Sequence, residues 1–234
     1  MSNYAEIRCD AVTVQFAAAT APAPALSEVS VVLNQKRIAV IGSNGSGKST
    51  FARLLNGLVI ATEGQLSVHG LDPASQGKQL RRTVGFIFSN PDAQIIMPAV
   101  AEDVAFSLRG RGLSATDIAE RVSLAMAEFG LTALADAAAH TLSGGQKQLL
   151  ALCAILVGRP ALVVADEPTA LLDASNARLI SNYLLEQMPQ QLVLVTHDLR
   201  LAARCDIVLR FDAGRLVECG EPDAVIARYE KTHS

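Results

Sequence analysis

Short apolar runs alternate with longer amphipathic stretches along this chain, and the alternation predicts its architecture. Arg37–Ile41 (RIAVI) is apolar after its first residue and stops at a glycine, as a strand buried on both faces does. Leu162–Ala165, Leu192–Val195 and Ile207–Leu209 are further short apolar strands, and VGFIF (Val84–Phe88) reads as a strand that runs out into a loop. Looser alternation predicts strands in IRCDAVTVQF, LSEVSVVL and GQLSVHG. The stretch AAATAPAPA, residues 17–25, is expected to be a loop, because its prolines sustain neither a ladder nor a helix.

From Lys48 the period changes. Phe51, Leu54, Leu55 and Leu58 fall on one face of a helix. Residues from about 103 to 139 are helix-rich, broken at Gly110, Gly112 and Gly130. Two more helices are predicted, Gln146–Val157, closed by Gly158-Arg159-Pro160, and about Ser175–Met188. Strands alternating with helices predict an α/β fold on a parallel sheet. The helical middle, about residues 90–150, reads as a subdomain inserted into a single folding unit whose core is about 1–89 and 151–234.

One stretch carries specific chemistry. Gly42-Ser43-Asn44-Gly45-Ser46-Gly47-Lys48-Ser49-Thr50 follows a predicted strand and opens a predicted helix. In that context G-x-x-x-x-G-K-S is a phosphate cradle. Glycines let backbone N–H groups converge on phosphate oxygens, and the helix start adds a partial positive charge. Lys48 supplies a point charge near the β- and γ-phosphates, and the Ser49 hydroxyl is a Mg²⁺ ligand candidate. Asp166 and Glu167 emerge at the end of the strand Leu162–Ala165, where open α/β sheets collect ligands. Asp166 is expected to face Mg²⁺ through water, and Glu167 to face the γ-phosphate and orient or deprotonate the attacking water. Leu142-Ser143-Gly144-Gly145-Gln146 opens a second helix, with Ser143 as its N-cap and two glycines leaving N–H groups open to an anion. One nucleotide rarely needs two cradles, and one way to use both is for the second to close on a nucleotide held by another subunit.

Composition narrows the class. Of 234 residues half are hydrophobic and 18% are charged, enough for a sizeable core, and the net charge of −3 gives no footprint for nucleic acid. The four cysteines, Cys9, Cys153, Cys205 and Cys219, form no CxxC pair, which leaves a zinc site without support and fits a reducing compartment. No signal peptide is read at the N-terminus, and the longest apolar run, Leu149–Val157, is too short to cross a bilayer.

The order of these motifs resembles the ATP-binding-cassette (ABC) ATPases, and the resemblance covers nearly the whole chain. GSNGSGKST looks like the family's phosphate loop, LSGGQ like its signature and LVVADE like its acidic strand. The resemblance implies a RecA-like P-loop core sheet with an inserted helical subdomain. It also implies hydrolysis of ATP with Mg²⁺ held by Ser49 and Asp166, and a dimer in which Ser143, Gly144, Gly145 and Gln146 reach the partner's nucleotide. Asp173, in Ala170-Leu171-Leu172-Asp173, would lie where two subunits touch. His197 would be the switch histidine beside the γ-phosphate, and Phe16 would stack on adenine.

Asn90-Pro91-Asp92-Ala93-Gln94 followed by PAVAEDVAF (98–106) resembles one subgroup, the ATPases of energy-coupling-factor (ECF) importers, and F-S-N-P-D-A-Q is similar to its biotin importers. This implies a peripheral protein on the cytoplasmic face of the cell membrane. Its partners would be a second ATPase subunit, the same or related, a transmembrane coupling protein and a substrate-binding membrane protein. Cobalt, nickel or another vitamin are the alternative cargoes, and a non-transport P-loop ATPase or kinase is the rival class. The chain departs from the family at Ser89, where a glutamine is usual. Serine is shorter by about 2.5 Å of reach, so either a water bridges the gap or the serine is merely tolerated there. Gln94 is the nearest substitute amide, five residues on. Many relatives carry an added C-terminal dimerisation segment, and after Gly214–Glu218 only a short tail remains for one.

Overall fold

The computed structural model describes residues 4–16 and 24–233, and most of the expected 17–25 loop lies outside them. Two sheets form the core. The larger has six strands, β3 (Arg37–Ile41), β5 (Val84–Ile87), β6 (Leu162–Asp166), β7 (Gln191–Val195), β8 (Ile207–Asp212) and β9 (Arg215–Gly220), in the order β5-β6-β7-β3-β8-β9. The first five run parallel, and β9 returns antiparallel on β8. The smaller sheet is antiparallel, β2-β1-β4, with β1 Ile7–Val14, β2 Leu26–Leu33 and β4 Glu63–Val68. The parallel sheet expected from the sequence is the larger one, and the strands read in 7–14, 26–33 and 63–68 form a second, antiparallel sheet. Period-two patterns locate strands but do not say which strands share a sheet.

The parallel strands are buried on both faces, and successive residues serve two different cores. Ile38 and Val40 join Val164, Val193 and Phe51 on the side of the small sheet, whereas Ala39 and Ile41 join Val163, Leu194 and Leu152 on the other. Each large side chain so buried contributes about 1.5–3 kcal/mol before entropy is counted. The helix α1 (Lys48–Leu55) fills the first core, its Phe51 ring centroid 5.1 Å from that of Phe211.

Among the described residues no strand intervenes between Ile87 and Leu162. After the short α2 (Gly77–Thr83) and β5 come α3 (Val100–Phe106), α4 (Ala115–Glu128) and α5 (Gly144–Leu156). Ser114 and Asp117 close a capping box at the start of α4, and Gly130 follows its end at φ 67°. The subdomain boundary placed at residue 150 cuts through α5, which runs unbroken from the signature into the core and packs on β5. Its start also lies two residues before the expected Gln146, because Ser143 caps it.

Three further differences concern the last third. The helix expected over 175–188 is α6 (Ala174–Asn182) followed by a π-helical turn, Tyr183–Gln187. The buried Arg37 takes up the carbonyls left at that end, donating to Leu185 O (2.9 Å), Gln190 O (2.7 Å) and Met188 O. A short α7 (Leu199–Ala202) precedes β8. The expected C-terminal tail is the edge strand β9 and the helix α8 (Pro222–His233), which packs on β8 and β9.

Candidate functional site

The carboxyl ends of β3, β6 and β7 meet at one edge of the parallel sheet, and the expected phosphate residues gather there. Backbone demands set the cradle. Gly42 has φ 146°, and a Cβ on it would lie 2.2 Å from the Phe211 carbonyl oxygen. Gly47 caps α1 at φ 104°, where a Cβ would meet Leu26 Cδ2 at 2.7 Å. Within α1 the N–H of Phe51 is the first to bond, to Gly47 O at 2.9 Å. Those of Lys48, Ser49 and Thr50 are left without a helical partner, as at any helix start. With Asn44, Gly45 and Glu167 they line a cavity of about 240 Å³. Ser43 and Ser46 brace the loop, Ser46 N–H donating to Ser43 O at 3.2 Å and Ser46 O accepting from Gly214 N–H at 3.0 Å.

Lys48 is buried, and its Nζ donates to the carbonyls of Gly42 and Ser43, both at 2.8 Å. Burial pulls its pKa below the usual lysine value, and the carboxylates of Glu167 and Asp166 act in the opposite sense. Ser49 Oγ donates to Asp166 Oδ1 at 3.1 Å. A hydroxyl and a carboxylate oxygen this close are hard donors of the kind Mg²⁺ takes alongside phosphate oxygens and water. Among the described residues no group of three or more His, Cys, Asp or Glu could hold a metal alone, so a cation here would lean on the nucleotide.

Glu167 follows β6 with φ 52°, a left-handed conformation that costs a non-glycine residue about 1–2 kcal/mol. Its N–H donates to Val195 O at 3.0 Å, which pins the turn to β7. Its Oε2 lies 2.8 Å from Nδ1 of His197, whose side chain is 71% exposed. A carboxylate held against a solvent-facing imidazole at the rim of a phosphate cradle can take a proton from water and place it beside the transferred group.

The second cradle stands apart from that cavity, which no residue of 143–146 lines. Ser143 Oγ accepts from Gln146 N–H at 3.4 Å and Gln146 Oε1 accepts from Ser143 N–H at 2.9 Å, a reciprocal box. A Cβ on Gly145 would sit 2.4 Å from the Asn176 amide carbon, so a side chain there would displace Asn176, whereas Gly144 is open. Asn176 was missed in the sequence. Its side chain touches Gly145 and its Nδ2 donates to Asp173 Oδ2 at 2.7 Å. Asp173 Oδ1 also accepts from Asn176 N–H at 3.0 Å, the Ser175 hydroxyl at 2.7 Å and Ser175 N–H at 3.0 Å, and these bonds hold its carboxyl down at about 2. The one available signal was the N-cap spacing Asp-x-x-Asn.

Three predicted residues lie away from the phosphate cavity. Phe16 is 46% exposed just beyond β1 and does not line it. Ser89 is half-buried. Gln94 is committed elsewhere, its Oε1 accepting from Phe88 N–H at 3.3 Å and its Nε2 donating to Ala151 O at 3.0 Å. The substitution of Gln94 for the missing glutamine amide is therefore not what this geometry provides.

Known proteins resemble this chain over most of its length. The family model for ABC transporters matches residues 26–170. The chain is 47% identical to the biotin transport ATP-binding protein BioM of Rhizobium etli, over 88% of this chain and 92% of that one. It is 39% identical to the energy-coupling factor transporter ATP-binding protein EcfA1 of Levilactobacillus brevis, over 88% and 76%. Its fold superposes on cbiO1 from Clostridium perfringens, part of the ABC transporter complex cbiONQ, with a TM-score of 0.83 and 29% identity over 96% of this chain and 91% of that one.

Proposed function

This chain belongs to the ABC transporter family of ATP-binding proteins, and on that premise we propose that it is the ATP-hydrolysing subunit of an ECF-type importer whose cargo is biotin. The observation that carries the reading is the juxtaposition of Lys48, the Ser49–Asp166 pair and the Glu167–His197 pair at one sheet edge, in a chain nearly half identical to a biotin transport ATPase.

Two chains bind two ATP molecules between them. Lys48 and the N–H groups of the Gly42–Thr50 loop hold the phosphates of one nucleotide, and Ser143, Gly144, Gly145 and Gln146 of the other chain close on its γ-phosphate. Phe16 contributes a π-face to the adenine. Ser49 and Asp166 would hold Mg²⁺, which neutralises phosphate charge when bound. Glu167 takes the proton of the attacking water, and His197 steadies that carboxylate and the γ-phosphate. Loss of the γ-phosphate removes the contact that joins the chains, so the pair opens. Asp173 lies at the seam, and the segment from Ser89 passes the motion to a membrane partner. No helix among the described residues is long and apolar enough to cross a membrane. In this reading the work is done at the cytoplasmic face of the membrane through that partner.

The test is uptake of labelled biotin by cells lacking the chain. Uptake should fall, return with the intact chain and fail to return with Lys48→Ala. Undiminished biotin uptake would refute the cargo, and the same assay with labelled cobalt or nickel would then identify an alternative.

A further inference from the structure

The two glycines that open α5 have unlike surroundings. Gly144 is exposed, and a Cβ on it would meet nothing within 4 Å. Gly145 is buried, and a side chain from another helix lies against it. The three atoms nearest to a Cβ built on Gly145 all belong to the Asn176 amide, Cγ at 2.4 Å and Nδ2 and Oδ1 at 2.5 Å. Asn176 thus occupies the room that a larger residue at 145 would need. Between these two residues the chain runs out through α5, along the whole of β6 and past the Glu167 turn before α6 begins. The amide is the short way across.

The same amide is tied at its other side. Asn176 Nδ2 donates to Asp173 Oδ2 at 2.7 Å, and the Asn176 backbone N–H donates to Asp173 Oδ1 at 3.0 Å. Asp173 is the N-cap of α6, so one residue grips both oxygens of the cap while covering the start of α5. A hydrogen bond to an ionised carboxylate is shorter and stronger than one between neutral groups, which makes this a firm tie for an exposed acid. The residue type matters. An aspartate at 176 would keep the shape and set a second carboxylate against Asp173. A leucine would fill the space and leave Asp173 Oδ2 without this donor.

We propose that Asn176 is a positioning residue of the second cradle: seated on Gly145 and bonded to Asp173, its amide fixes the Ser143 helix start and the cap of α6 as one unit, and the two meet the other chain together. Gly145 is then a glycine in order to admit Asn176, and Gly144 is the glycine left open toward the other chain's nucleotide. The proposal rests on the two-chain reading above and adds the residue that joins the cradle to the seam.

The experiment uses the full chain carrying Glu167→Gln, with ATP and Mg²⁺. Light scattering over a range of protein concentrations gives the dissociation constant of the pair. A fluorescent ATP analogue, titrated at concentrations too low for pairing, gives the affinity of the single chain. Asn176→Ala should raise the first about tenfold, through lost preorganisation, and leave the second within about twofold because the Lys48 loop is untouched. Asn176→Asp should weaken the pair at least as much. A pair as tight as the parent's in either variant, or an equal loss in the single chain's own affinity, would overturn the proposal. Two further readouts address the contact itself. The Asp173 carboxyl is held down at about 2 by the Asn176 N–H first, then by the Ser175 hydroxyl and the Asn176 amide. Its NMR midpoint should rise in Asn176→Ala, and an unmoved midpoint counts against the tie. Gly145→Ala should lower the melting temperature, and adding Asn176→Ala should return most of the fall, because the new Cβ takes the room of the amide. Additive losses would mean that the amide does not sit on Gly145. If the Glu167→Gln parent does not pair with ATP, the two-chain reading fails, and this proposal falls with it.

Discussion

Glu167 Oε2 and His197 Nδ1 sit 2.8 Å apart at the ends of neighbouring strands, one side chain mostly covered and the other facing solvent. In the function proposed above, the contact joins the group that accepts a proton with the group beside the departing phosphate. Glu167→Gln keeps the shape and removes the base, so hydrolysis should drop by about 10²–10⁴-fold while ATP binding persists. Light scattering should then show a dimer that forms with ATP and does not dissociate, and unchanged turnover would contradict the assignment.

Gly42 and Gly144 make opposite predictions. Gly42→Ala drives a Cβ into the Phe211 carbonyl at 2.2 Å and should cost about 2–4 kcal/mol. That is a fall in melting temperature of roughly 5–15 °C for a chain of this size. Gly144→Ala meets nothing within 4 Å, and its melting temperature should stay within about 2 °C of the original. Calorimetry on both variants checks the pair.

Asp103 is buried in α3, and its Oδ1 accepts from Ile96 N–H at 2.8 Å and Met97 N–H at 2.9 Å. Asp103→Ala leaves two backbone donors without that partner and should destabilise by about 2–3 kcal/mol. Denaturant unfolding should show a lower midpoint with an unchanged slope.

Asp173 carries a pH prediction. Its folded pKa, held near 2, lies below the value of about 3.9 expected in the unfolded chain. The ionised cap therefore stabilises above about pH 4, and that contribution is lost as pH falls toward 2. A carboxyl NMR titration should find the Asp173 midpoint near 2, and a midpoint near 4 would mean that the bonds to Ser175 and Asn176 are not made in solution.

The cysteines differ in reach. Cys9, Cys153 and Cys205 are buried, and burial pushes each thiol up to about 12, whereas Cys219 is exposed on β9, its thiol also raised by desolvation. Iodoacetamide at pH 8 should modify Cys219 first and the others only on unfolding, as mass spectrometry of timed digests would show.

Much of this was legible because it is local. The Lys48 cradle and the Ser143 cap are short spacings whose backbone demands are met within a few residues. What escaped depends on packing between distant segments. Asn176 matters because α6 lays it on Gly145, which no pattern around residue 176 encodes. The small antiparallel sheet was visible as three strands but not as a separate sheet, since alternation is blind to partners. Arg215–Gly220 is an edge strand that exposes Arg215, Val217 and Cys219 and carries Glu218 on its more covered face, so its alternation does not read as apolar-in, polar-out.

The separation of the Lys48 cavity from the Ser143 helix start has a genetic consequence. If two copies of this chain pair as in the proposed function, a cell making two damaged versions, one broken at Lys48 and the other at Gly145, would assemble some mixed pairs. In each of these, one pocket inherits both faults and the other inherits none. Two alleles that are each silent alone would rescue one another, and two alleles broken at Lys48 would not.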